Sequence, residues 1–233
     1  AALVGARATT ARRAPVVLDA FTAASFIGIV AGALSGEAVL RGRSPFVGRR
    51  DEEIAGAEVT ITDDGLIEGG PASAPFDGEG VAHARTPLIA GGRIQNLLYD
   101  ARTAREAGAA LTGNGRRGSY RGRPGPGATN IVVDSGTASL DQLIGAAGDG
   151  LYVTQVVGLH SGVNPVSGVF SVGASGIEIR NGELAGPVRE ATIASDLIAM
   201  LKAVEAVGVE RRWVPFGGPV LTAPILISEM SIA

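Results

Sequence analysis

The sequence predicts an α+β fold, mainly antiparallel β-sheet, with a buried helix near its N-terminus and a few further helices. Three observations point there. Glycine (35) and proline (12) are spread through 233 residues, which suits many short strands joined by turns better than long helices. Asn181-Gly182 lies between two strand-like runs, the dipeptide that fits a type I′ hairpin turn. The stretch between Asp19 and Glu37 has no charge and carries Phe21, Phe26, Ile27, Ile29, Val30 and Leu34, which reads as one apolar helix.

Taken in order, Pro15–Asp19 reads as a short buried strand and Phe21–Leu40 as the helix. Gly28, Gly32 and Gly36 recur every fourth residue and predict a smooth stripe packed against a close neighbour. A membrane span needs about 20 mostly apolar residues, and this segment is shorter and rich in Ala and Gly. Glu58–Thr62 alternates as a strand and runs into an Asp63-Asp64-Gly65 turn. Val81–Ile89 and Ile94–Tyr99 flank Gly91-Gly92 as a hairpin. Ala101–Ala107 is a short helix ended by Gly108. Thr112–Gly127 is a Gly- and Arg-rich loop, and Thr129–Val133 a strand. Ser139 opens a helix to Ala147, with Gln142 completing a capping box. Leu151–Val157 is a strand, Gly158–Gly168 a polar loop, and Val169–Arg180 with Glu183–Glu190 the hairpin. Ala194–Val207 reads as an amphipathic helix through Leu197, Met200, Leu201 and Val204. Ile225–Ile232 closes the chain as a strand. No internal boundary breaks this order, so residues 1–233 read as one domain.

Composition removes several functions. The formal net charge is -3 and the pI about 5.5, so nothing global draws the chain to nucleic acid or an anionic membrane. There are no cysteines and two histidines, His83 and His160. A zinc peptidase needs a ligand set with one open position, and no second His lies near either one. His83 reads as a half-exposed strand residue. Ser161 directly follows His160, and neighbours on an extended chain point opposite ways, so they form no ready nucleophile–base pair. A metal-independent hydrolase using His160 and a more distant serine stays open. An RNA-binding module through Arg116, Arg117, Arg121 and Arg123, with Tyr120 among them, is a further reading; its bland counterpart is a flexible solvated loop.

Several ordered segments resemble one family. His160-Ser161-Gly162-Val163-Asn164-Pro165-Val166-Ser167-Gly168, followed by Phe170-Ser171-Val172-Gly173-Ala174, is similar to a signature of the TldD/PmbA (TldE) family. Asn181-Gly182-Glu183, Pro187-Val188-Arg189-Glu190 and Thr192-Ile193-Ala194 follow in the family's order. Upstream, Phe76-Asp77-Gly78-Glu79-Gly80-Val81 resembles its "FDxEG" segment. Leu98-Tyr99-Asp100, Thr103-Ala104-Arg105 and Thr112-Gly113-Asn114 resemble its "YDxxTAR…STGN" segment. The likeness runs from about Pro15 to the C-terminus. It departs at Val169, where the family usually has Asp.

The resemblance implies a cytoplasmic zinc metallopeptidase system acting on peptides and unfolded polypeptides. In the TldD-type member an "HExxxH" helix and a downstream Cys hold the metal. Here the helix at that position reads Gly32-Ala33-Leu34-Ser35-Gly36-Glu37, so the TldE-type half is the one implied. That half carries no cofactor of its own, leaves zinc to a TldD-like partner, and pairs with that partner or with a second copy of itself. The family's N-terminal domain is expected to lie outside this chain. An older family name refers to DNA gyrase, but the composition gives no support for DNA binding. Catalytic and metal-ligating residues are therefore expected to be none. His160, Ser161, Asn164 and Ser167 are the candidates for substrate binding or a subunit interface. The alternative for that loop is a self-satisfied Ω-loop.

Overall fold

A computed structural model of the chain describes residues 6–7, 9–215 and 218–233. The elements run β1 (Arg12–Leu18), α1 (Ala20–Ala33), α2 (Gly36–Leu40), β2 (Ile61–Asp64), β3 (Arg85–Ala90), β4 (Arg93–Ile94) and α3 (Ala101–Ala107). Then come β5 (Gly115–Arg116), β6 (Gly125–Pro126), β7 (Ile131–Val133), α4 (Leu140–Ala147), β8 (Gly150–Val157) and α5 (Leu159–Gly162). The chain ends with β9 (Val169–Arg180), β10 (Glu183–Asp196), α6 (Leu197–Lys202), β11 (Val204–Val207), β12 (Arg212–Val214), β13 (Val220–Thr222) and β14 (Ile225–Ile232).

The fold is α+β and most pairings are antiparallel, as the sequence predicts. Two six-stranded sheets carry it. In the first, β1 pairs β8 on one edge and β14 on the other, and β8–β9, β9–β10 and β10–β14 complete a ring. Such closure leaves few unpaired edges. The second sheet runs β12-β13-β7-β2-β3-β4. Helix α1 lies between the two, touching β1 and β8 on one side and β12 and β13 on the other. Asp19 caps it, its carboxylate accepting from the Thr22 N–H at 2.7 Å. Phe26 reaches from α1 to Phe170 of β9, ring centroids 4.9 Å apart. At about 25 cal/mol per Å2 of apolar surface, residues such as Val16, Phe26, Val30 and Phe170, all buried, supply the main cohesion. On the outer face of the first sheet, Leu143, Ile144 and Ala147 of α4 form a smaller core with Val17, Ile179 and Leu226.

Several expectations are corrected. The Phe21–Leu40 helix is two helices, because Ser35 leaves helical geometry and caps α2 through the Ala38 N–H. The glycine stripe is not packed: a Cβ on Gly28 or Gly32 would meet nothing within 4 Å, and only Gly36 lies against a neighbour, the Tyr99 ring. The reason is rotational: α1 turns Ala23, Phe26, Ile27 and Val30 inward, which leaves Gly32 on the outside. The Ala194–Val207 helix shrinks to Leu197–Lys202. Strand β10 continues to Asp196, whose side chain caps α6, and Val204–Val207 pairs with β14 instead; sheet pairing overrides a short helical period. Asp63 and Asp64 end β2 rather than forming a turn beyond it. His83 is buried, 7% exposed, and lies outside the named strands. The Gly/Arg loop is closed by the β5–β6 ladder. The Asn181-Gly182 turn forms as expected, with φ of 50° and 76°, and both capping assignments at α3 and α4 hold. No helix among the described residues is long and apolar enough to cross a membrane.

Candidate functional site

The loop after β8 is built almost wholly from its own polar groups. Gly158 turns the chain with φ 82°, and α5 follows as one helical turn. The Asn164 side-chain oxygen accepts from the N–H groups of Val166 (2.9 Å) and Ser167 (3.1 Å). Its backbone N–H donates to the Val169 carbonyl and its own carbonyl accepts from Gly168, both at 2.8 Å. Ser167 Oγ accepts from the Val169 N–H at 3.3 Å. Ser161 Oγ donates to the Gly158 carbonyl at 3.3 Å, so it is turned to the backbone and not to His160. The loop is docked through Leu159 and Val163, which pack against the main core, and at Gly168, which packs on Pro45 and Leu197 and whose carbonyl accepts from the Leu197 N–H. His160, Ser161, Asn164 and Ser167 are all exposed. Of the four, His160 is the one whose side chain forms no hydrogen bond among the described residues. Val157, Val166 and Val169, each at least half exposed, line the same end of the sheet.

The "FDxEG" and "YDxxTAR…TGN" segments do something different: they knot together over the second sheet. Asp77 accepts from the N–H groups of Glu79 and Val81 through one oxygen and of Gly115 through the other, at 2.8 to 2.9 Å. Glu79 accepts from the Ala101 N–H at the start of α3 at 2.7 Å. Asp100 caps the same helix through the Thr103 N–H. Asn114, 1% exposed, donates through Nδ2 to Asp63 Oδ2 at 2.6 Å and to the Gly127 carbonyl at 3.2 Å. Asp63 also accepts from the Thr129 N–H (2.6 Å) and hydroxyl (2.9 Å). Burial pushes the Asp63 carboxyl above its ordinary value of 3.8, and these hydrogen bonds, with His83 nearby, only partly offset it. Asn114 Oδ1 is buried without a hydrogen-bond partner among the described residues. Asp77, Glu79 and Asp100 each accept from backbone N–H groups of other residues in the knot, so these carboxylates hold its segments together.

The family's metal can be tested against these side chains. Glu37 stands at the helix position and is engaged by Arg102 at 2.9 Å. His83 packs over Gly65 beside the knot, whereas His160 lies on the loop after β8. No cluster of three or more His, Asp or Glu side chains that could hold a metal occurs among the described residues. The donor set does not fit a zinc centre.

A cleft of about 700 Å3 opens beside the knot, between the outer edge of β3 and the run following α3. Phe46, Ile94, Leu97 and Tyr99 line it together with two arginines, Arg50 and Arg85. Sequence reading did not find it. Tyr99 stood out as part of a motif, but the arginines are 35 positions apart and only the fold brings them together.

Comparison with known proteins shows the family. The profile of the PmbA/TldA metallopeptidase C-terminal domain matches residues 11–233. The metalloprotease PmbA of Escherichia coli O157:H7 is 30% identical over 97% of the chain and 47% of its own length. A metalloprotease TldD homologue of Haemophilus influenzae is 32% identical over 75% of the chain and 36% of its own length. The crystal structure of TldE from Thermococcus kodakarensis superposes with a TM-score of 0.92 at 27% identity, covering 100% of the chain and 52% of that protein. This chain thus spans about half the length of such relatives or less. The chain belongs to the PmbA/TldD metallopeptidase family, whose C-terminal domain it matches.

Proposed function

We propose that this chain is the metal-free, TldE-type member of a two-subunit zinc peptidase system, a cytoplasmic non-catalytic subunit that helps a TldD-like partner handle peptides. The observation that carries the reading is the donor set: no cysteine and two histidines, one buried at the knot and one on an exposed loop. Zinc would then reside in the partner. Alignment extent supports it too, since the PmbA match spans 97% of the chain and the TldD-type match 75%. Residues 1–233 would form the C-terminal domain, and the peptide system, the pairing and the location go with the family reading.

Within it, the loop Gly158–Gly168 is the element offered to the partner or the shared chamber. It is shaped by the Asn164 hydrogen bonds, docked at Gly168, and exposes His160 and Val166. A loop shaped by its own hydrogen bonds that leaves one imidazole exposed suits a contact surface more than a catalytic pair.

The test is co-purification with a zinc-bearing TldD-like subunit, followed by peptide cleavage and metal analysis. The pair should form and cleave, with zinc absent from this chain when it is purified alone. A His160→Ala, Asn164→Ala double variant should impair assembly or cleavage. Unchanged assembly and cleavage would make the loop merely structural, and one tightly held zinc per isolated chain would overturn the assignment. Chelator-insensitive cleavage by the chain alone, lost in His160→Ala, would favour the metal-independent hydrolase.

A further inference from the structure

We infer that the cleft beside β3 binds the C-terminal end of an extended peptide, with an apolar terminal side chain and a free carboxylate. The inference rests on the peptide-handling role proposed above and adds a site to it. Three features of the cleft converge on this ligand.

Charge is the first. Arg50 and Arg85 line the cleft and no acidic residue does, although the chain as a whole has net charge -3. Both arginines are exposed. Neither is tightly held: Arg50 reaches the Gln95 carbonyl at 3.4 Å, and Arg85 stands 3.9 Å from Asp64. A planar guanidinium with free N–H groups matches a carboxylate in two parallel hydrogen bonds. Tyr99 adds a donor. Burial raises its phenol above the ordinary 10.0 despite the pull of Arg50, so it carries its proton at neutral pH.

Backbone is the second. On its outer side strand β3 pairs with β4 at Ile89 and Ala90, and the Leu88 carbonyl accepts from the Gln95 N–H at 2.9 Å. Arg85, Thr86 and Pro87 face the cleft beyond that pairing. The Pro87 carbonyl is taken by the Asn96 side chain at 2.9 Å, which leaves Arg85 as the edge position able to pair with a peptide main chain.

Apolar surface is the third. Phe46, Ile94 and Leu97 form the floor, and Leu111 on the far wall is 53% exposed. Pockets that join apolar walls to a few placed polar groups are where small ligands and chain ends bind. The three features specify an apolar side chain, a main chain and a terminal negative charge in one molecule.

The experiment is an NMR titration of the intact chain with N-acetyl-Ala-Ala-Leu, as the free acid and as the C-terminal amide. The free acid should shift the backbone amides of Arg85, Thr86 and residues 109–112. The amide should bind about tenfold more weakly, the scale of one charge-assisted contact. Arg50→Gln and Arg85→Gln, both at exposed positions and checked for unchanged spectra elsewhere, should each bring the free acid down toward the amide. Equal binding of acid and amide, shifts confined to another surface, or no shifts at about millimolar peptide would overturn the inference. Those results leave the proposed function standing if the pair with a TldD-like subunit still forms and cleaves. Peptide binding here with no such pair would sink the proposed function and keep the cleft.

Discussion

The motif knot over the second sheet and the motif loop after β8 are both assembled from conspicuous polar residues, yet they differ in burial. In the knot Asp63, Asn114 and Thr129 are at most 1% exposed, and their hydrogen bonds join segments up to 66 residues apart. In the loop every partner of Asn164 and Ser167 lies within five residues and the side chains are exposed. Long-range buried hydrogen bonds hold a fold together, because breaking them strands polar groups away from water. Local exposed ones shape a surface. A recognisable sequence motif therefore says little about whether its residues touch a ligand. The arginines that offer free N–H groups, Arg50 and Arg85, belong to no motif at all.

Breaking the knot should have the largest effect. Asn114→Ala removes a donor to Asp63 and leaves the Gly127 carbonyl unpaired. We expect a loss of about 3 kcal/mol in urea unfolding. A loss under about 1 kcal/mol would show that the knot tolerates water and that the contrast with the loop is false.

Next comes a contrast within one glycine series. Gly36→Ala drives a methyl group into the Tyr99 ring and should cost about 2 kcal/mol. Gly28→Ala, in a helix with open space around it, should stabilise by up to about 1 kcal/mol. Thermal or urea midpoints moving in the same direction for both would contradict the outward placement of the stripe.

In the loop, Asn164→Ala removes two side chain–backbone hydrogen bonds and should cost about 1 kcal/mol. His160→Ala, exposed and without a side-chain bond, should change stability by less than about 0.5 kcal/mol. A larger His160 effect would mean that the imidazole is part of the scaffold.

The smallest effect is a slope with pH. The folded carboxyl of Asp63 sits above its ordinary value of 3.8, so between those two values the folded state binds more proton than the unfolded one. Stability from this group should then fall as pH rises through the window and recover as pH falls. Asp63→Asn should flatten that slope in urea titrations across the same range. An unchanged slope would assign it to other carboxylates.

The sequence by itself determined the local pieces. Gly108 ends its helix, Ser139 caps the next one, and Asn181-Gly182 turns the hairpin, because each of these is a short-range match of residue to backbone. Absence of cysteine and scarcity of histidine bounded the metal chemistry, since a ligand set cannot be built from residues that are not there. Only the tertiary structure decided where long-range partners meet. It extended β10 into the predicted helix through pairing with β9 and β14. It left Gly28 and Gly32 without a packed neighbour by burying Phe26 and Val30 instead, and it buried Asp63 and His83. It also brought Arg50, Arg85 and Tyr99 to the lining of one cleft. Spacing along a chain fixes which side chains share a face of one element, while burial and charge arise between elements, and those distances exist only once the chain has folded.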